Sequence, residues 1–267
     1  MVVKPEQGSD AGSEAEERFL GHIDLTEWRS TPGRASAKSA MFVARRIGST
    51  RALILTLAIG IVPAVLLVVL FAWVYDAVAE SDGLTGLDRP VLAFVLSLRS
   101  AGLDTAVHLY TDVGGTIAMP IIAVGTMVLL AVHRRAWTPV ILIGASGTGS
   151  LLMTIFGKLL FGRARPPLVD QVPPFESGGS FPSGHTLNSI VIAGIIAYLL
   201  ILRQKSVGRR VVTITIAALF TLTIGLSRIF LGAHWFTDVI GAWAIGGAWL
   251  AVVITAHRLY LTTRLRR

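Results

Sequence analysis

The chain contains no cysteine among its 267 residues. Disulfides, thiolate metal sites and cysteine nucleophiles are therefore excluded. Charge is also scarce, at 15% Asp, Glu, Lys and Arg, against about 25% in an ordinary soluble domain. After residue 160 the only acids are Asp170, Glu176 and Asp238. No carboxylate cluster of the kind that holds Mg²⁺ is visible there. The formal net charge of +8 raises the question of nucleic acid. The basic residues, however, sit at the ends of long apolar runs, where positive charge sets membrane orientation. That distribution argues against a nucleic-acid partner.

What the chain has in plenty is apolar length: 53% of it is hydrophobic. A helix that crosses a bilayer needs about 20 predominantly apolar residues. Six runs qualify or come close: 52–74, 117–132, 139–160, 187–202, 211–231 and 239–256. Helix is expected in each, because a bilayer offers no partner to open backbone groups. The expected fold is all-α, a polytopic membrane protein with six transmembrane helices in residues 51–257. Residues 1–50 are polar and expected to form a mostly disordered cytoplasmic segment, with at most a weak helix around Glu14–Phe19. Residues 258–267 are expected to form a basic cytoplasmic tail. "AVAESD" after the first run resembles a signal-peptidase site, but its apolar core is too long and starts too late for a cleaved signal. The small-residue stretches "GASGTGS" and "GAWAIGG" suit close packing of helices, within one chain or between subunits.

Lys and Arg in the short loops fix the expected orientation. Arg45, Arg46 and Arg51 precede the first run, Arg134 and Arg135 follow the second, and Arg203, Lys205, Arg209 and Arg210 follow the fourth. Arg258, Arg264, Arg266 and Arg267 follow the sixth. With six spans all four groups fall on one side, the cytoplasmic one. The chain is thus expected in the inner (plasma) membrane with both termini in the cytoplasm. In the first outer loop, residues 87–110 are amphipathic, too short to span, and expected to lie along the interface as a helix, with a lid on the soluble side as the alternative.

Several polar residues stand where a membrane discourages them. Lys158, Arg163 and Arg165 lie at the outer end of the third run, and Ser183 and His185 open the fourth. Ser227 and Arg228 end the fifth, and His234 and Asp238 precede the sixth. Each alone has a structural reading: snorkelling for Lys158 and Arg165, a helix cap for Ser183, a buried ion pair of Arg228 with Asp238, packing for either histidine. Together they share one depth on one face, on the side where basic clusters are disfavoured, and that makes a site. Lys158, Arg165 and Arg228 beside a helix N-terminus suit a phosphate. Gly184 lets a backbone approach it, and the Ser183 hydroxyl adds a donor. Two histidines can supply a nucleophile and an acid. Asp238, one helical turn after His234, can accept from one ring nitrogen and leave the other free. Lysine and arginine can neutralise developing charge, so no metal and no other cofactor is expected.

Three fixed-spacing patterns occur in order: Lys158-x6-Arg165-Pro166, Pro182-Ser183-Gly184-His185, and Ser227-Arg228-x5-His234-x3-Asp238. They resemble the three motifs of the type 2 phosphatidic acid phosphatase superfamily, with no departure. The resemblance covers residues 158–238 through the motifs and about 52–256 through the six-run pattern. It implies that His234 attacks phosphorus and forms a phosphohistidine, and that Asp238 orients it. His185 would protonate the leaving oxygen, and Lys158, Arg165, Ser183, Gly184 and Arg228 would bind the phosphoryl oxygens. It further implies a metal-independent lipid phosphatase with its site at the outer membrane face and a greasy gap for the lipid tail. Undecaprenyl diphosphate is the first expected substrate, with phosphatidylglycerophosphate and phosphatidate close behind. A lipid phosphotransferase using the same histidine is the alternative. A non-catalytic membrane protein would lack one of these residues, and none is missing. The phosphorylated lipid and the surrounding membrane lipids are the expected partners. The oligomeric state is not written in the sequence.

Overall fold

The structure, a computed structural model, describes residues 62–264 and two short stretches, Phe19–Leu20 (β1) and Ile23–Asp24 (β2), which pair antiparallel. The rest of the expected polar segment, residues 52–61 of the expected first span, and residues 265–267 of the expected basic tail lie outside the described residues.

Among the described residues eight α-helices follow: α1 Val62–Glu80, α2 Asp88–Ser97, α3 Ala101–Thr111, α4 Ala118–Arg134, α5 Thr138–Phe161, α6 Gly184–Ile201, α7 Val207–Phe230 and α8 Phe236–Arg264. Five of them, α1, α5, α6, α7 and α8, are long and apolar enough to cross a membrane. The sixth expected span is α4, at 17 residues only about 25 Å long. Pro90, Pro120 and Pro139 fall in the first turns of α2, α4 and α5, where a missing N–H costs nothing. Arg135 and Gly162, at φ 49° and 53°, end α4 and α5 in the left-handed conformation.

The core runs along α6. Its Leu187, Val191, Ile195 and Leu199 are fully buried and meet Met119 and Leu130 of α4, Leu142 and Ile143 of α5, and Ala242 and Val253 of α8. α7 packs along another side of α6, and α1 packs against α8. The peripheral helices turn Leu66, Trp73, Leu129, Leu159 and Ile216 outward, a pattern that lipid rather than water accommodates. The small-residue stretches serve contacts within this one chain. A Cβ at Gly149 would lie 2.2 Å from the Trp249 ring, whose indole N–H donates to the Ser146 carbonyl at 3.2 Å.

The expected interfacial helix is broken. α2 and α3 meet at 120°, so residues 87–110 double back instead of forming one rod. Ser100 sets the break: its backbone is extended, and its hydroxyl caps α3 at Leu103 N, 3.4 Å away. Arg99 beside it donates to the carbonyls of Phe230 and Asp170, tying the bend to the end of α7 and to the α5–α6 loop.

Gly149→Ala should overpack the α5–α8 contact and cost about 1–3 kcal/mol. Gly144, which faces open space, should accept Ala without loss. Thermal unfolding of the two variants in detergent compares them directly.

Candidate functional site

Four chain segments meet at one end of the bundle: the end of α5 with its exit loop, the start of α6, the end of α7, and the turn into α8. Two of these junctions owe their shape to backbone chemistry. Gly232, at φ 67°, turns the chain between α7 and α8, and a Cβ there would lie 2.2 Å from the Asp170 carbonyl oxygen. Only glycine permits both the sign of φ and the approach. At the start of α6, the Ser183 backbone N–H donates to the Asp238 carbonyl at 3.2 Å. Ser183 is fully buried, and its hydroxyl accepts from Thr186 at 3.0 Å. The missing Cβ of Gly184 faces Thr154 of α5 at 3.1 Å, so this glycine also lets α5 and α6 close together.

The structure brings all eight predicted residues into this one place. His234 is buried, and its Nδ1 lies 3.4 Å from Asp238 Oδ2. Its Nε2 points the other way, 3.3 Å from Arg165 Nη1 and 3.8 Å from Glu176 Oε2. His185 presents Nδ1 to Glu176 Oε1 at 3.9 Å. Arg165 pairs with Glu176 at 3.1 Å and donates to the carbonyls of Ala233, Gly178 and Gly179. Arg228, buried, pairs closely with Glu176 and donates to Thr111. Lys158, at the end of α5, lies within electrostatic reach of Arg165, Glu176, Arg228 and Asp238. The ion pair of Arg228 with Asp238, one of the structural readings, is absent. Glu176 takes Arg228, and Arg163 takes Asp238.

Three residues here carry contacts that sequence reasoning did not assign. Glu176 is the acid on which the site's arginines and histidines converge. Arg163 bridges two carboxylates, donating to Asp238 Oδ1 at 2.5 Å and to Asp88 Oδ2 at 2.6 Å. Asp88, the first residue of α2, is buried and accepts from Thr237 N–H at 2.9 Å, capping the start of α8. The rarity of acids after residue 160 was a usable signal for Glu176. Asp88 reads in sequence as an ordinary helix start.

Electrostatics divide the groups by role. Burial alone would push the Glu176 carboxyl up, but Arg228, His234, His185 and Arg165 outweigh it and hold it at about 2. Glu176 is therefore an anion throughout the working pH range. Burial lowers His234 below the usual histidine range, although Asp238 pulls it back in part. The ring is thus neutral at pH 7, with Asp238 accepting from Nδ1–H and a lone pair left on Nε2. A neutral imidazole whose Nε2 is unprotonated and meets Arg165 Nη1 at 3.3 Å can attack an electrophile once that arginine turns to hold the electrophile's charge. Beside it opens a cavity of 410 Å³ lined by His108, Asp112, Thr116, Gln171, His185 and Arg228 among others.

The model of the PAP2 superfamily matches residues 136–260. Residues 136–260 belong to the PAP2 superfamily. The match takes in α5 to α8 up to Tyr260 and every predicted site residue, while α1 to α4 lie outside it. Phosphatidylglycerophosphatase B of Bacillus subtilis is 29% identical over 181 residues, covering 66% of this chain and 86% of that protein. Undecaprenyl-diphosphatase BcrC of the same organism is 27% identical over 123 residues, 43% of this chain and 58% of that protein. Lipid phosphate phosphatase delta of Arabidopsis thaliana is 32% identical over 77 residues, 27% of this chain and 18% of that protein. The crystal structure of a transmembrane PAP2-type phosphatidylglycerolphosphate phosphatase from Bacillus subtilis superposes with a TM-score of 0.65 at 24% identity. The superposition covers 72% of this chain and 94% of that one and establishes a shared fold.

Arg163→Ala leaves Asp88 and Asp238 buried without their shared cation. A loss of about 3–5 kcal/mol is expected on breaking a buried pair, read as a drop in thermal stability in detergent, and Arg163→Lys should recover part of it.

Proposed function

We propose that this membrane lipid phosphatase removes the terminal phosphate of a phosphorylated lipid through a phosphohistidine on His234, at the outer face of the plasma membrane and without a metal ion. One observation carries the reading. The free nitrogen of His234, a ring nitrogen of His185 and the guanidinium groups of Arg165 and Arg228 all converge on a single anion-sized position, now held by a carboxylate. A phosphoryl group at that position would meet a nucleophile, an acid and fixed positive charge together.

The steps follow from the geometry. His234 Nε2 forms a bond to phosphorus while the bond from phosphorus to the lipid oxygen breaks. His185 gives its proton to that leaving oxygen. Asp238 holds the Nδ1 proton of His234 and stabilises the charge that the ring acquires. Lys158, Arg165 and Arg228, with Ser183 and the first-turn N–H groups of α6 at Gly184, bind the phosphoryl oxygens as charge builds. A water then gives a proton to His185, its oxygen bonds to phosphorus, and the P–N bond breaks. Hydrolysis without an added acceptor distinguishes this from a lipid phosphotransferase.

The lipid tail has a place to go. An apolar cavity of 350 Å³ lies between α4, α6 and α7, lined by Met119, Ile122, Ile192, Ile196 and Phe220 among others. It adjoins the polar cavity at residues 113–119. The polar cavity favours phosphatidylglycerophosphate over undecaprenyl diphosphate, the first expectation from sequence. Gln171 and Asp112 can accept hydrogen bonds from the hydroxyl of a glycerol leaving group, whereas the carboxylate of Asp112 opposes a second phosphate joined directly to the first, as in a diphosphate. The greater coverage of phosphatidylglycerophosphatase B among the relatives agrees with this choice.

Phosphate release by the protein in detergent should persist in EDTA and disappear in His234→Ala, with phosphatidylglycerophosphate cleaved faster than undecaprenyl diphosphate or phosphatidate. No release from any of the three would overturn the proposal. The lowered His234 titration gives a sign for the pH profile. Because the nucleophile stays neutral below its ordinary value, the acid limb of kcat/KM should fall below about pH 6.5. Ala193→Trp, which fills the apolar cavity, should raise KM for a long-chain lipid. Cleavage of a small soluble phosphate ester should be unchanged, as expected for lost uniform binding.

A further inference from the structure

Glu176 lies in the loop between residues 171 and 180, and its carboxylate occupies the position that a reacting phosphoryl group requires. It is held by Arg228, by Arg165 at 3.1 Å, and faces His234 Nε2 at 3.8 Å and His185 Nδ1 at 3.9 Å. The same donors cannot serve the carboxylate and a substrate at once. Binding of substrate therefore requires Glu176 to leave.

The loop is built to let it leave. The segment is fastened at its two ends, by Val172 N–H to the Leu231 carbonyl at 3.0 Å and by Ser180 N–H to the Arg163 carbonyl at 2.8 Å. Among the described residues, no backbone-to-backbone hydrogen bond reaches residues 173–179. What holds this stretch is Arg165, through Gly178 and Gly179, and the Glu176 side chain itself. Pro173, Pro174, Phe175, Ser177 and Gly178 are exposed. Moving Glu176 outward disturbs no core contact among them.

We infer that Glu176 is a specificity-determining residue, a tethered carboxylate that keeps the phosphate site closed to phosphodiester head groups and yields only to a terminal phosphate. The argument is one of charge and concentration. A membrane presents the site with a large excess of phosphodiester lipids, each carrying one negative charge and two free oxygens, as a carboxylate does. A tethered group competes at an effective concentration of about the millimolar range or above. A diester exchanging for Glu176 gains neither charge nor acceptors. A phosphomonoester brings a charge of about −1.5 to −2 and three acceptor oxygens, and the cluster of Lys158, Arg165 and Arg228 rewards the difference. Glu176 thus weakens every ligand by the same factor, which puts a diester's dissociation constant above its concentration in the membrane while the stronger phosphomonoester still occupies the site.

This inference rests on the phosphate-site reading above, and direct binding separates the two. Inorganic phosphate is titrated calorimetrically into the full chain in detergent, as wild type, Glu176→Gln and Glu176→Asp. Glu176→Gln keeps the shape and removes the charge, and it should bind phosphate roughly tenfold or more tightly than wild type. Glu176→Asp, shorter by one methylene, should fall between. In mixed micelles, phosphatidylglycerol should inhibit Glu176→Gln and leave the wild type unaffected. With a phosphomonoester lipid, KM should fall while kcat is kept. Equal or weaker phosphate binding by a folded Glu176→Gln, or a fall in kcat at constant KM, would overturn the inference and leave the phosphate site standing. Absence of phosphate binding in every form would overturn both.

Discussion

A carboxylate sealed at the start of α8 needs partners, and Asp238 takes them from three separate parts of the chain. Arg163 arrives from the loop after α5, the Trp235 N–H and the His234 ring from the turn before α8. The carbonyl of the same residue receives Ser183 N–H at the start of α6. Burying an ion costs several kcal/mol unless its partners are in place. These segments therefore reach their positions together or not at all. Asp88 extends the dependence to α2, because it shares Arg163 and caps the first turn of α8. The geometry that could serve chemistry is also what allows this end of the bundle to fold.

The spans were readable because the bilayer imposes length and apolarity, and the expected runs fall within one helical turn or so of α5 to α8 at their starts. The last one extends further at its C-terminal end, since Tyr198 of α6 gives the polar His257 a partner at 2.8 Å inside the bundle. The site residues were readable for a related reason: charge is so rare here that Lys158, Arg165, Arg228 and Asp238 stand out against the apolar background. The break at Leu98–Ser100 was not, since apolar periodicity continues across it and only the cap at Ser100 and the anchoring of Arg99 to a distant helix end divide it. Asp88 escaped, and Arg163 stood in the cluster without a role, for want of a local pattern. Their meaning lies in contacts 75 residues apart in sequence, which no spacing rule reaches. Glu176 was visible as an isolated acid, but its purpose depends on a loop folding back over four other segments.

The molecule divides its work between two kinds of surface. Around the sides, α1, α4, α5 and α7 present large apolar side chains. At one end, polar side chains are packed so that nearly every one has a counterpart. The helix that joins the two regimes is α6, mostly apolar along its length and carrying His185 in its first turn. Because α6 is clasped by neighbours throughout, the orientation of its first turn is fixed by the whole bundle. Donors aimed by such a turn keep their direction while ligands come and go.

The shortness of α4 has a consequence for the membrane itself. At about 25 Å it falls short of a hydrocarbon layer of about 30 Å. The lipids beside it must dip, or their neighbours tilt, to avoid exposing chain to water. That local thinning lies along the same helix that lines the apolar cavity and leads toward His185 and Arg228. A lipid arriving there has its head group drawn down to the depth of the site before any specific contact forms. A bilayer thinned beside one short helix would bring its own lipids to the level of the polar cavity.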